Sequence, residues 1–211
     1  MTGRDVARDL LRIGAVALRP AAPFTWASGR LSPVYTDNRL ALSYPDVRDR
    51  IADGLVALAR PFAADAVAGT ATAGIPHATL VADRLGLPLC YVRAQAKDHG
   101  RQNRIEGQVT AGQRIVVVED LVSTGGSVLG AAEALRDAGA VPVAVLAVFS
   151  YGFAEADAAF RTADLPLHVL TTFEALAHVA REDGLLTADH LDALADWRRD
   201  ASAWSRARGG A

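Results

Sequence analysis

Two runs of the chain are apolar at every position: Ile115–Val118 (IVVV) and Pro142–Phe149 (PVAVLAVF). A strand with one face in water alternates polar and apolar residues. A strand that never alternates is covered on both faces, as in parallel sheets sandwiched between helices. The surrounding pattern agrees. Strands are predicted at Asp65–Thr70, Leu89–Val92, Ile115–Glu119 and Val141–Phe149. Between them, helices are predicted at Ile75–Leu85, stopped by Gly86, and at Ser127–Ala138, stopped by Gly139. Such alternation implies βαβ units and an α/β fold, with a central, mainly parallel sheet flanked by helices. Ligands of open sheets of this kind bind beyond the carboxyl ends of the strands.

The ends of the chain read differently. Val6, Leu10, Ile13 and Leu18 share one helical face, predicting a helix over residues 4–19. Ser28-Gly29 stands between short β-prone runs and predicts a hairpin; Ser43 then caps a helix with Pro45 in its first turn, running to about Arg60. Leu167–Leu170 offers one more strand, and helices close the chain, leaving only the final ARGGA dispensable. The interval Ala94–Gly112 is long and polar where a helix is expected, a pattern typical of lids and linkers. At 211 residues the chain is long enough for one substantial core, and a single domain over 1–211 is expected.

Charge and composition exclude several function classes. A net charge of -2 and the absence of a basic stripe argue against nucleic acid as a partner. No segment approaches membrane-spanning length, and MTGRDVARDLLRIGAV lacks an apolar run of signal length. The lone Cys90 rules out an internal disulfide and a Cys-based zinc site, and suits a reducing cytoplasm. Of 22 basic side chains 21 are Arg; the single Lys, Lys97, falls in RAQAKDHGRQNRIEG. A compact, mobile ammonium is not interchangeable with a guanidinium.

RIVVVEDLVSTGGSV (Arg114–Val128) concentrates the chemistry. Adjacent carboxylates repel, a cost that an ordinary strand end has no need to accept. Ser123, Thr124, Gly125, Gly126 and Ser127 then place hydroxyls and backbone N–H groups before a predicted helix, where the dipole favours an anion. The glycines let the backbone close around a phosphate. The loop is neither a Walker A motif, since no GKS or GKT follows, nor a G-x-G-x-x-G dinucleotide fingerprint. With Glu119 and Asp120 accepting from sugar hydroxyls and the loop holding a monoester, the ligand described is a ribose 5-phosphate.

VVVEDLVSTGGS resembles the signature of the type I phosphoribosyltransferase family. The likeness extends over nearly all of 1–195 and points to the orotate-using branch. FTWASGRLSPVYTDNR (Phe24–Arg39) resembles its N-terminal hood, AGTATAGIPHA (Ala68–Ala78) its pyrophosphate loop, and YVRAQAKDHGRQNRIEG (Tyr91–Gly107) its mobile catalytic loop. The resemblance implies a small hood, mainly 20–42, with C-terminal helices 171–205 packing nearby. It implies transfer of the phosphoribosyl group from 5-phosphoribosyl 1-pyrophosphate (PRPP) to orotate in pyrimidine (UMP) biosynthesis, with Mg²⁺ but no assigned protein–metal bond. It further implies a cytoplasmic homodimer whose mobile loop is shared between subunits. Lys97, Asp98, His99 and Asp120 are the implied catalytic residues. Arg93, Thr72, Lys97 and His99 join Glu119, Asp120 and Ser123–Ser127 in binding PRPP.

The chain also departs from the family pattern. Ala27, Ala73 and Ala94 stand where some members carry lysines, and SYGFAEA, after the strand ending near Phe149, lacks the arginine that binds the orotate carboxylate. Arg39, with Tyr35 and Ser123, is the expected orotate contact in its stead. His77 reads as packing beside the pyrophosphate loop, and His168, His178 and His190 lack metal-ligand spacing. Trp197 and Trp204 read as packing, and Trp26 as hood packing or a base-stacking platform. Two other functions compete: a transferase of this fold for another nucleobase, and a PRPP-sensing regulatory protein. The complete Arg-x-x-x-Lys-Asp-His-Gly loop weighs against both.

Overall fold

Thr2 opens α1 (Gly3–Arg12) with a capping box to Asp5, and Gly14, at φ +72°, turns the chain out of it. The helix is therefore shorter than the expected 4–19, and Val16–Leu18 form β1. Three short strands follow, β2 (Phe24–Thr25), β3 (Leu31–Ser32) and β4 (Val34–Thr36). β1 pairs antiparallel with β4, and β2 with β3, so the expected hairpin at Ser28-Gly29 is present as the hood. A computed structural model of the chain describes residues 2–26, 29–95 and 104–211. Asp37 caps a 3-10 turn over Asn38–Ser43, which absorbs Ser43; α2 (Pro45–Ala59) begins instead after Tyr44, with proline in its first turn and no side-chain cap.

The sheet comes next: β5 (Ala66–Thr70), α3 (Gly74–Leu85), β6 (Leu89–Val92), β7 (Ile105–Glu106), β8 (Arg114–Val122), α4 (Gly126–Asp137), β9 (Val141–Ser150), α5 (Ala154–Thr162) and β10 (Leu167–Thr172). Its order is β10-β9-β8-β5-β6-β7, parallel throughout except for β7. Helix α5 lies in a stretch for which no element was expected. The strand β8 also outruns the predicted Ile115–Glu119, because β9 keeps pairing with it through Leu121↔Phe149 and Val122↔Ser150. Glu119 and Asp120 thus lie inside the strand rather than at its end.

The pleat explains the unbroken apolar runs. Val116 and Val118 face a core shared with α1, α2 and α3, whereas Ile115 and Val117 face Val128, Ala131, Leu135 and Phe160 of α4 and α5. All four β8 residues are fully buried, each worth roughly 1.5–3 kcal/mol over exposure. Three helices end the chain: α6 (Phe173–Glu182), α7 (Ala188–Arg199) and α8 (Ala201–Arg206). Trp197 is fully buried, with its ring 5.4–5.6 Å from those of Phe173, Phe153 and Tyr151. Trp204 is also buried, and both indoles pack as expected.

The hood is tied to α8. The Leu31 N–H donates to Ser205 Oγ at 2.9 Å, the Arg30 guanidinium donates to Ser202 Oγ, and the Ala211 N–H donates to the Gly29 carbonyl at 3.1 Å. Ser205 in turn donates to the Ala211 carbonyl at 2.8 Å. The final ARGGA, expected to be slack, is hydrogen-bonded to the hood and α8, and Gly210 allows the close approach to Leu31. Among the described residues no helix is long and apolar enough to cross a membrane.

Candidate functional site

Two helix N-termini converge at the carboxyl edge of the neighbouring strands β5 and β8. Neither α3, preceded by Ala73, nor α4, preceded by Gly125, has a side-chain cap; the first N–H groups of α4 remain available to an anion, whereas at the start of α3 Pro76 has no N–H and that of Ile75 donates to the Thr72 carbonyl at 3.3 Å. Gly125 has φ +86°, and a Cβ there would come within 2.9 Å of the Phe160 ring. Glycine is required at this turn on both counts. Ser123, Thr124, Gly126 and Ser127 are exposed around it. Opposite, Thr72 is exposed and its peptide bond to Ala71 is cis.

Glu119 is buried and Asp120 half-buried. Burial pushes the Glu119 carboxyl up from 4.5 to about 7, and the neighbouring Asp120 charge adds to the effect. The Thr70 hydroxyl and the Asp120 N–H, the latter at 3.1 Å, act the other way. The same hydroxyl lies 3.2 Å from the Val118 carbonyl, and with one proton it serves either acceptor at a time. Asn38 Nδ2 donates to the Asp120 carbonyl at 2.8 Å and so ties the 3-10 turn below the hood to the acidic strand.

Arg93 follows β6, with Nη1 3.8 Å from Glu106. Arg104 donates to the Arg93 carbonyl at 2.9 Å and to the Gly130 carbonyl at 3.0 Å, clamping the stem of the 94–105 segment onto α4. Lys97, Asp98 and His99 lie outside the described residues, as do Ala27 and Ser28. The described stem begins and ends at this same sheet edge.

A cavity of about 510 Å³ opens between the hood, the phosphate-type loop and the C-terminal helices. Trp26, Ser123, Thr124 and Phe153 line it, with three arginines, Arg30, Arg198 and Arg199. Arg39 and Tyr35 are not among its described lining residues. Arg39 forks onto Asp37, at 2.7 and 3.0 Å, and Tyr35 is 45 % exposed with its ring beside Phe24. His77 is fully buried in α3, and burial pushes its pKa down, keeping the ring neutral. His168 packs on Phe62, and His190 closes the capping box of α7.

Three residues at this edge carry no sequence signal of their own. Asn38 is one polar residue among several in TDNR. Gly74 looks like any glycine at a helix start, yet a Cβ there would lie 2.5 Å from the Val118 carbonyl oxygen and closer still to Thr70 Oγ1. Arg198 belongs to a helix whose charge pattern reads as a solvated face.

Residues 49–170 match the family model of the phosphoribosyl transferase domain. The chain is 53 % identical, over 97 % of its length and 95 % of the relative's, to an orotate phosphoribosyltransferase of Cutibacterium acnes. The orotate phosphoribosyltransferase of Aeropyrum pernix superposes with a TM-score of 0.74 and 31 % identity, covering 86 % of this chain and 99 % of that one. The Mycobacterium tuberculosis orotate phosphoribosyltransferase in complex with 5-phospho-α-D-ribosyl 1-diphosphate superposes with a TM-score of 0.65 and 26 % identity, covering 82 % and 98 %. A likeness that covers nearly the whole chain leaves one conclusion: the chain belongs to the orotate phosphoribosyltransferase family.

Proposed function

We propose that the chain transfers the phosphoribosyl group of PRPP to orotate, giving orotidine 5′-monophosphate and pyrophosphate in pyrimidine biosynthesis. The observation that carries this is the order of groups along one sheet edge: an acid pair, an uncapped glycine loop at a helix start, and an aromatic, arginine-lined cavity beside it. In this reaction the loop Ser123–Ser127 holds the 5-phosphate, and Glu119 and Asp120 accept hydrogen bonds from the ribose hydroxyls. Thr72, the start of α3 and Arg93 face the pyrophosphate. The bond from the anomeric carbon to the pyrophosphate oxygen breaks with its electron pair leaving on that oxygen, and the ring nitrogen of orotate next to the carboxylate-bearing carbon bonds to the carbon as its N–H proton passes to solvent or to the departing pyrophosphate. Positive charge grows on the ribose and negative charge on the leaving group, so Lys97 and His99 act where charge develops, with Asp98 beside them. A homodimer sharing the Lys97 segment between subunits, in the cytoplasm, belongs to the same proposal.

Mg²⁺ supplies charge neutralisation at the pyrophosphate when bound. Among the described residues no group of three His, Cys, Asp or Glu could hold a metal ion. Mg²⁺ is a hard cation that keeps several waters and can take most of its oxygens from substrate. Glu119 and Asp120 would hold it through the sugar hydroxyls and waters, and a nearby cation favours the charged form of Glu119.

The test is the Mg²⁺-dependent loss of orotate ultraviolet absorbance on adding PRPP, with adenine, guanine and uracil as competitors. Consumption of orotate alone is expected. Failure to consume it, with PRPP still bound, would overturn the base assignment and bring a sensing role forward.

Glu119 gives a second expectation. PRPP affinity measured by calorimetry should rise about tenfold per pH unit below an inflection near 7, as the carboxyl loses its proton, and level off above. Glu119→Gln should remove that inflection and leave only the titration of the substrate's own phosphates. The same raised value has the opposite sign for stability. The contribution of Glu119 is fully present below its ordinary 4.5 and is lost as pH rises through about 7. A wild-type affinity that is flat across pH 6–8 would remove Glu119 from the sugar site.

A further inference from the structure

We propose that Arg198, from the C-terminal helix α7, is the specificity-determining residue that recognises the carboxylate of the base. This assignment rests on the orotate reaction proposed above. Orotate carries its carboxylate on the ring carbon next to the nitrogen that becomes glycosidic. The matching cation must therefore stand beside the phosphate loop, at the inner end of the base cavity and not at its rim.

The β8–β9 register locates that inner end. Pairing finishes at Val122↔Ser150, and the Tyr151 N–H still donates to the Val122 carbonyl at 3.1 Å. Gly152 lies two residues beyond the last pair on one strand, as Thr124 does on the other. The Arg198 guanidinium reaches this point from α7, its Nη1 3.7 Å from where a Gly152 Cβ would stand. Arg198, Ser123 and Thr124 line the cavity of about 510 Å³, and Arg198 stands at its border with an adjoining cavity of about 570 Å³ lined by Gly152 and Glu174.

The cation is also held for the purpose. Its neighbour Trp197 is fully buried against Tyr151, Phe153 and Phe173, so α7 is fixed to the exit of β9. A charged group on a rigid element is pre-organised for its ligand. The carboxylate paired with Arg198 is Glu174, at 3.4 Å through one nitrogen, and Glu174 is 65 % exposed. A pair of that kind is weak, and exchanging it for a fork onto a substrate carboxylate costs little.

The other cations are less suited. Arg199 is 77 % exposed and pairs with Asp196 at 3.0 Å. Arg30 is held against Ser202 on α8, where it ties the hood to that helix. Arg39 is forked onto Asp37, and its guanidinium would have to abandon two short bonds. Two acids also line the cavity, but Asp200 is engaged in capping α8, which leaves Glu155 alone against three arginines.

Two nucleotides that differ only in the carboxylate supply the test. Dissociation constants for orotidine 5′-monophosphate and uridine 5′-monophosphate would be measured on the full chain for wild type, Arg198→Gln, Arg198→Lys and Arg30→Gln. Wild type should prefer the carboxylated nucleotide. Arg198→Gln should cut that preference about 10–100-fold, the range expected for a charge-assisted hydrogen-bonded pair, while uridine monophosphate affinity stays within about twofold. Arg198→Lys should restore part of it, and Arg30→Gln should leave it intact. Equal weakening of both nucleotides would reduce Arg198 to a packing role and overturn the assignment, as would loss of the preference in Arg30→Gln alone. A wild-type protein that binds both nucleotides alike would overturn the orotate reaction itself and this assignment with it. That outcome differs from a normal wild type beside an unaffected Arg198→Gln, which sinks only the assignment.

Discussion

Lys97→Ala should lower turnover by about 10²–10³-fold while changing PRPP affinity by less than about tenfold. The chain carries 21 arginines and one lysine. An ammonium aimed at a departing pyrophosphate gains strength as the leaving oxygen takes up charge, so its loss appears in the chemical step rather than in ground-state binding. Calorimetry and single-turnover rates separate the two effects. Lys97→Arg should recover little, because the guanidinium is larger and planar. Unchanged turnover in the alanine variant would remove Lys97 from the mechanism. If the segment serves the neighbouring subunit, mixing Lys97→Ala with Asp120→Asn should restore activity through hybrid dimers that contain one intact site. Hybrids that form and stay inactive would place each site within a single chain.

The second large effect is expected at Gly74, where Gly74→Ala should reduce turnover by about 10²-fold and lower the melting midpoint by several degrees. The φ of Gly74 is not positive, so the reason for glycine is space. A Cβ would lie 2.5 Å from the Val118 carbonyl oxygen and 3.4 Å from Glu119 Cα. Overpacking of this kind costs roughly 1–3 kcal/mol, and each kcal/mol lowers the midpoint of a chain this size by about 2–4 °C. The larger consequence is positional. The intruding methyl displaces the strand segment that presents Glu119, and a shift of about 1 Å at a reacting site is worth about 10²-fold in rate. Gly130→Ala serves as the control. That glycine lies inside α4, where an added Cβ would meet nothing nearer than an Arg104 nitrogen at 3.8 Å beyond the helix's own backbone, so the methyl should be tolerated and add up to about 1 kcal/mol of helix stability. A Gly74→Ala variant with wild-type melting and turnover would refute the steric account.

What the sequence reveals depends on how local the cause is. IVVV and PVAVLAVF declare two-sided burial because nearest neighbours along a strand report both faces of the sheet. The phosphate-type loop is equally legible, since a glycine turn and a helix start occupy adjacent positions. The extent of β8 is not, because Leu121 and Val122 stay in the strand through partners on β9 some 28 residues away. Residues Val16–Leu18 fit the helical face of α1 by spacing, and only the turn at Gly14 separates them. The base cavity is the least legible part. Its hood and its α7–α8 wall lie more than 160 residues apart, and Arg30–Ser202 and Leu31–Ser205 leave no periodic trace. Arg39 attracts attention by its place in TDNR, but its commitment to Asp37 becomes visible only in three dimensions.

The dependence of the hood on α8 has a consequence for synthesis on the ribosome. Every strand of the main sheet has been made once residue 172 emerges, whereas the serines that fasten Arg30 and Leu31 come only at 202 and 205. Domains fold from the N-terminus as the chain lengthens, at about 5–20 residues per second. While residues 173–205 are being made, the nascent chain can have a complete phosphate-type loop with its hood still waiting for α8. On the proposed assignment, the elements that recognise the sugar phosphate are thus complete before those that recognise the base, and selectivity for a nucleobase is added to a sheet already built.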